Sequence, residues 1–168
     1  MKRGFYVGRF QPYHNGHKSV IDAIAGEIDE LIIGIGSADI SHEPRHPFTA
    51  GERVLMISRA LKNTEIPIYI IPLEDVRRNA LWVAHVTSMA PPFHAVYTAN
   101  SLVIQLFREA GIPVTSPSLY RREMLSGTAV RARMVAGEAW EACVPHEVAE
   151  VIREIHGIER MQQIAKTD

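Results

Sequence analysis

A strong charge of one sign is absent from this chain. Its 18 Lys and Arg residues nearly cancel 19 Asp and Glu, leaving a formal net charge of −1. That balance excludes the basic footprint usual for nucleic-acid binders, so no nucleic-acid partner is expected. An anionic ligand would have to be held by a local site, because the overall field cannot hold it. Cysteine is nearly missing: Cys143 is the single one, so no intrachain disulfide can form. That fits a reducing compartment, and the cytoplasm is the expected location. Long apolar runs are missing too. Asp29 to Gly36 falls far short of the roughly 20 residues that span a bilayer, so no membrane association is expected. Met1 to Gly4 lead directly into a strand-like segment, without the apolar core of a secretory signal. Internal repeats, low-complexity tracts and linkers are likewise lacking. The 168 residues read as a single domain, 1–168, able to bury roughly two thirds of the surface its unfolded chain exposes.

What is present is an alternation of short apolar runs with longer helical stretches. Strands are expected over Phe5–Phe10, Leu31–Ile35, Pro67–Pro72, Ala95–Thr98 and Ile112–Thr115. Helices are expected over Asn15–Ala25, Ala50–Lys62, Ala80–Met89 and Leu102–Ala110, with a helical C-terminal part from about residue 126. Near-continuous apolar strands separated by helices imply an α/β fold, with a doubly wound, Rossmann-like parallel sheet of about five strands covered on both faces. In such sheets ligands sit beyond the C-terminal strand ends, where the strand order reverses.

The segments richest in chemistry fall there. After the first strand runs Gly8-Arg9-Phe10-Gln11-Pro12-Tyr13-His14-Asn15-Gly16-His17. Gly8 lets a ligand approach the backbone. His14 and His17, three residues apart, share one face of a first helical turn. Free amides at a helix start favour phosphate, and Arg9 adds a permanent cation. Such a cluster stabilises the charge that spreads over a phosphoryl centre under attack. A phosphate nucleophile is already ionised, so the site needs neither a general base nor an activated Ser or Cys. No third ligand is placed to turn the histidine pair into a zinc site.

A second anchor, Ser126-Gly127-Thr128-Ala129-Val130-Arg131, opens another helix. Ser126 or Thr128 can cap it, Gly127 permits close approach, and Arg131 lies one turn beyond Thr128. Between the anchors, Thr49 and Glu52 have capping-box spacing, and Arg45 precedes them in a polar loop. Asp75, Asn79 and Trp82 follow the third strand, and Asn100 follows the fourth.

The His14-Asn15-Gly16-His17 tetrapeptide resembles the signature of the HxGH nucleotidylyltransferase superfamily. The longer run from Gly8 is similar to that of the archaeal-type nicotinamide-nucleotide adenylyltransferases. The resemblance implies transfer of the AMP part of ATP to nicotinamide mononucleotide, giving NAD and pyrophosphate by direct in-line attack on the α-phosphate. It implies catalytic roles for Arg9, His14, His17 and Arg131. It also implies ATP contacts from Gly8, Phe10, Gln11, Gly16, Asn100, Ser126, Gly127 and Thr128. Acceptor contacts fall on Arg45, Asp75, Asn79 and Trp82, with Trp82 stacking on the nicotinamide ring. Mg2+ is expected with ATP as substrate, with no dedicated protein cage. A homo-oligomer is expected too, many members being hexamers.

The chain departs from the family pattern at His46, Ala99, Ser101, Ala129 and Ala132. Two other readings share parts of these motifs. One is an adenylyltransferase acting on phosphopantetheine, or a cytidylyltransferase. The other is a nucleotide sensor that binds without turnover.

Overall fold

The computed structural model describes residues 1–117 and 125–166. Five parallel strands form one sheet in the order β3-β2-β1-β4-β5. They are β1 (Arg3–Gly8), β2 (Glu30–Ile35), β3 (Ile68–Pro72), β4 (Ala95–Tyr97) and β5 (Val114–Thr115). The helices are α1 (Asn15–Ile24), α2 (Ala50–Ala60), α3 (Trp82–Met89), α4 (Ser101–Glu109), α5 (Gly127–Ala136), α6 (His146–Glu154) and α7 (Gly157–Ile164). A short 3₁₀ turn, Asn79–Leu81, leads into α3. The first strand is shifted from its expected place. It begins at Arg3 and ends at Gly8, because Phe10 takes a positive φ of 52° that no strand can contain.

Alternation along the central strands builds two separate apolar layers. Phe5, Ile32 and Val96 face α3 and α4, where Val86 and Phe107 complete one cluster. Tyr6, Leu31, Ile33, Ile35 and Tyr97 face the opposite way. There Val20, Ile21 and Ile24 of α1, Met56 and Ile57 of α2, and Val130 and Met134 of α5 pack with Val148 and Ile152 of α6 and Met161 of α7. The sheet is thus doubly wound. The strand order reverses between β1 and β4, so the crevice lies above Gly8 and Tyr97.

The C-terminal helices are tied to the sheet layer through α2. The Thr49 hydroxyl accepts from Glu52 N at 3.1 Å, and Glu52 Oε2 accepts from Thr49 N at 2.8 Å, closing the expected capping box. The same carboxylate accepts two hydrogen bonds of 2.7 Å from Arg160 of α7, which also donates to the Pro47 carbonyl at 3.0 Å. Burial disfavours the charged Glu52, but the bonds from Arg160 and Thr49 outweigh it and hold its pKa below the usual carboxylate value. A depressed carboxylate pKa stabilises the fold above the unfolded value, and that stabilisation is lost as pH falls through the folded one. Arg160→Met should therefore cost about 1–3 kcal/mol at pH 7 by urea unfolding. The deficit should shrink as pH falls below the ordinary Glu value of 4.5. A deficit that persists unchanged at pH 3 would show the loss to be packing alone.

Candidate active site

The strand that ends at Gly8 hands its chain to a turn, and the turn hands it to α1. His14 is the N-cap of α1 and His17 is its third residue. Their side chains cap the helix reciprocally: His14 Nδ1 accepts from Gly16 N at 3.1 Å, and His17 Nδ1 accepts from His14 N at 3.1 Å. Imidazoles replace the Ser or Thr and the Glu or Gln of an ordinary capping box. This network assigns the protons. With both Nδ1 atoms accepting, each neutral ring carries its hydrogen on Nε2 and keeps it for a ligand.

The two rings stack, with centroids 3.7 Å apart and an interplanar angle of 25°. Phe10 meets His17 edge-on at 4.7 Å, and Tyr13 stacks on it at 5.6 Å. Gly16 is required by this packing. A Cβ there would come within 2.8 Å of the His14 ring.

Burial lowers the His14 pKa to about 4, helped by the Arg131 charge. Burial and then His14 push the His17 pKa well below its ordinary value. Both rings are therefore neutral donors at neutral pH.

The second anchor arrives from α5. Ser126 is the cap, accepting from Ala129 N at 3.1 Å. Arg131 folds back along the helix and donates to the Gln11 carbonyl at 2.9 Å, linking residues 120 positions apart. Gly127 makes room for it, since a Cβ would lie 2.8 Å from Arg131 Nη1. Burial lowers the Arg131 pKa, and the charges of Arg9 and Arg45 lower it further. Three guanidinium groups thus crowd one region with no carboxylate among the causes of that shift, which is the field a polyanion needs.

One cavity of about 740 Å³ gathers these groups. Gly8, Arg9, Phe10, Gln11, His14, Gly16 and His17 line one side. Ser126, Gly127, Thr128 and Arg131 line another, Thr98 and Asn100 close the end of β4, and Asp75, Asn79 and Trp82 line the wall after β3. Asn100 also caps α4, accepting from Leu102 N and Val103 N. Trp82 sits edge-on to Phe107, 5.5 Å between centroids, which fixes the indole in the wall. Ser37, which sequence reasoning passed over, lines the cavity and donates to Asp75 at 3.0 Å.

Three expected residues stand differently from the rest. The Gln11 side chain is buried and fully occupied: its amide donates to Phe48 O at 3.0 Å and accepts from Phe48 N at 2.9 Å. Only its backbone is turned to the cavity, and Arg131 takes that carbonyl. The Phe10 ring belongs to the core, so its cavity surface is small. Arg45 is exposed at a loop tip and does not line the cavity, although its charge reaches Arg131.

The residue that sequence reasoning missed is Arg53. It is fully buried on α2, on the same stripe as Met56 and Ile57. Its guanidinium donates to the carbonyls of Thr49 at 3.1 Å, Arg9 at 2.9 Å, Gly36 at 2.8 Å and Ser37 at 3.0 Å. Burial lowers its pKa to about 10, which leaves it charged at neutral pH. Arg53, Met56, Ile57 and Ala60 have i, i+3, i+4, i+7 spacing. A charge on an apolar stripe was the available signal.

A doubly wound sheet whose switch point carries neutral imidazole donors and converging guanidinium groups defines a nucleotide-phosphate-binding α/β protein. Comparison with known proteins agrees. The sequence model of the cytidylyltransferase-like family matches residues 5–133. The chain is 74% identical over 168 residues to a protein of Methanocorpusculum labreanum named nicotinamide-nucleotide adenylyltransferase, covering all of both chains. It is 61% identical, again over the full length of both, to a Methanoculleus marisnigri protein of the same name. Among solved structures it resembles a bifunctional NMN adenylyltransferase/ADP ribose pyrophosphatase of Francisella tularensis, crystallised with AMP and a manganese ion. That likeness has a TM-score of 0.79 at 21% identity, covers 97% of this chain and 51% of the other, and bears on the fold. The chain belongs to the nicotinamide-nucleotide adenylyltransferases of the cytidylyltransferase-like family.

The imidazole states can be tested directly. Nitrogen-edited NMR of the free protein should show both His14 and His17 with the proton on Nε2 at pH 7, and His14 titrating near 4. Because the folded pKa lies below the ordinary 6.5, His14 stabilises the fold above that pH, and the contribution is lost as pH falls toward 4. A His14 midpoint near 6.5, or a proton on Nδ1, would contradict the reciprocal caps.

Proposed function

We propose that this protein transfers the AMP moiety of ATP to nicotinamide mononucleotide, forming NAD and pyrophosphate. The observation that carries the reading is the convergence of Arg9, His14, His17 and Arg131 on one cavity that Asn79 and Trp82 also line. The relatives at 74% and 61% identity bear the name of this activity.

An oxygen of the acceptor phosphate attacks the α-phosphorus of ATP. The new O–Pα bond forms as the Pα–O bond to the β-phosphate breaks, and the electron pair leaves with pyrophosphate. No proton need be removed from the nucleophile, so no base is called for. The Nε2 hydrogens of His14 and His17 stabilise charge on the α-phosphate oxygens, and Arg9 and Arg131 hold the leaving pyrophosphate. Neutral rings serve this role because their hydrogens are already pointed and cost no proton uptake. A divalent ion arrives on the triphosphate as part of the substrate. Asp75 is the only carboxylate lining the cavity, so the protein offers no cage of its own. Mg2+ is the ion proposed. Trp82 offers a flat face to the electron-poor nicotinamide ring, and Asn79 can bond its amide.

Pyrophosphate release from ATP with nicotinamide mononucleotide tests the reading. Phosphopantetheine should be inert in its place, and activity with it alone would transfer the protein to the sister class. ATP binding without product from any acceptor would make it a sensor. His17→Ala should lower kcat about 10²–10³-fold, the usual loss for one charge-stabilising donor, while changing the KM for the acceptor little. Parallel losses in acceptor binding and thermal stability would show His17 to be structural.

A further inference from the structure

We propose that His46 is a positioning residue for Arg9, held by the Glu43–His46 turn so that its imidazole aims the Arg9 guanidinium at the triphosphate. The inference rests on the reading of Arg9 as a phosphate-binding group. His46 does not line the cavity, so it acts only through Arg9.

The loop between Ser37 and Phe48 is shaped to carry this contact. Glu43 and His46 pair through both backbone amides, at 3.2 and 3.0 Å, which closes a turn over Pro44 and Arg45. The His46 side chain is 12% exposed. Its Nε2 lies 3.4 Å from Arg9 Nη1, and its Nδ1 lies 3.7 Å from Glu43 Oε2. A guanidinium can only donate, so Nε2 must accept. The proton then sits on Nδ1, facing the Glu43 carboxylate.

The charged groups facing the ring come from four elements: Arg9 after β1, Glu43 on its own loop, Arg131 on α5 and Arg53 on α2. Burial, Arg9, Arg131 and Arg53 all favour the neutral ring, and Glu43 alone opposes them. Neutral His46 tethers Arg9. Protonated His46 would set two cations 3.4 Å apart and drive Arg9 out of place. Arg9 is otherwise an exposed side chain. Without the tether, ordering it would fall to the incoming triphosphate and raise the KM for ATP.

The test is a double-mutant cycle on Arg9 and His46, read as kcat/KM for ATP at saturating nicotinamide mononucleotide. His46→Ala should lower kcat/KM about tenfold, mostly through KM, and the loss should vanish in an Arg9→Ala background. His46→Gln, whose amide oxygen can accept from Arg9, should recover most of it. The ratio of wild-type to His46→Gln activity should fall as pH drops below the ordinary imidazole value of 6.5, while ionisation of ATP cancels between the two proteins. Full activity in His46→Ala, or the same fold-loss with and without Arg9, overturns the inference. So does a flat pH ratio, which can be read from the Gln variant alone if the Ala variant does not fold. Failure of the wild type to form NAD would reject the proposed function. An unimpaired Arg9→Ala would reject the reading of Arg9, and this inference with it.

Discussion

The geometry of the site depends on one buried cation. Arg53 places a guanidinium, without a facing carboxylate, among four backbone carbonyls where β1 and β2 run out. Taking such a charge out of water costs several kcal/mol even after relaxation, and charge-assisted hydrogen bonds to those carbonyls offset that cost. The arrangement is mutual. Carbonyls just beyond a strand end have lost their ladder partners and would be unsatisfied in the interior. Arg53 therefore joins Arg9, Gly36 and Ser37 to the first turn of α2, and the chain leaves both strands along one set path. Arg9 owes its backbone position to this contact, and Ser37 is held beside Asp75 in the cavity wall.

On that frame, single groups carry structural and chemical tasks together. His14 and His17 close the first turn of α1 with their Nδ1 atoms, and the same bonds free both Nε2 hydrogens for phosphate. Arg131 bonds the Gln11 carbonyl and so locks α5 against the turn after β1, while its positive charge faces the cavity. The glycines of both motifs are spaces more than hinges. Gly16 is where the His14 ring lies, and Gly127 is where Arg131 folds back. Site and fold share parts, so the phosphate cradle is pre-organised before any ligand arrives.

The parts legible in the sequence were those whose signal is local. Apolar runs marked all five strands, and the Thr49–Glu52 spacing marked the start of α2. The cluster from Gly8 to His17 declared a phosphate site because its residues lie together in the chain. Less legible was anything whose meaning depends on a partner far along it. Gln11 looked like a ligand contact. Its amide is spent on Phe48, 37 positions away, and nothing near either residue announces the pair. Arg53 read as part of an ordinary helix start, since its four acceptors are backbone carbonyls and carbonyls leave no mark in a sequence. Phe10 looked like the end of a strand, but the turn needed a positive φ there. His46 was visible only as a departure from a family pattern, and its contact with Arg9 comes from the loop that folds over it.

The central claim is that one triphosphate lies between the turn after β1 and the start of α5. The most direct measurement is a crystal structure with α,β-methylene ATP and nicotinamide mononucleotide bound together. The expected result puts α-phosphate oxygens within hydrogen-bond reach of Nε2 of His14 and His17, Arg9 and Arg131 on the outer phosphates, and the pyridine ring against Trp82. A triphosphate bound away from the two imidazoles, or an acceptor phosphate unable to reach the α-phosphorus in line with the bridging atom, would contradict it.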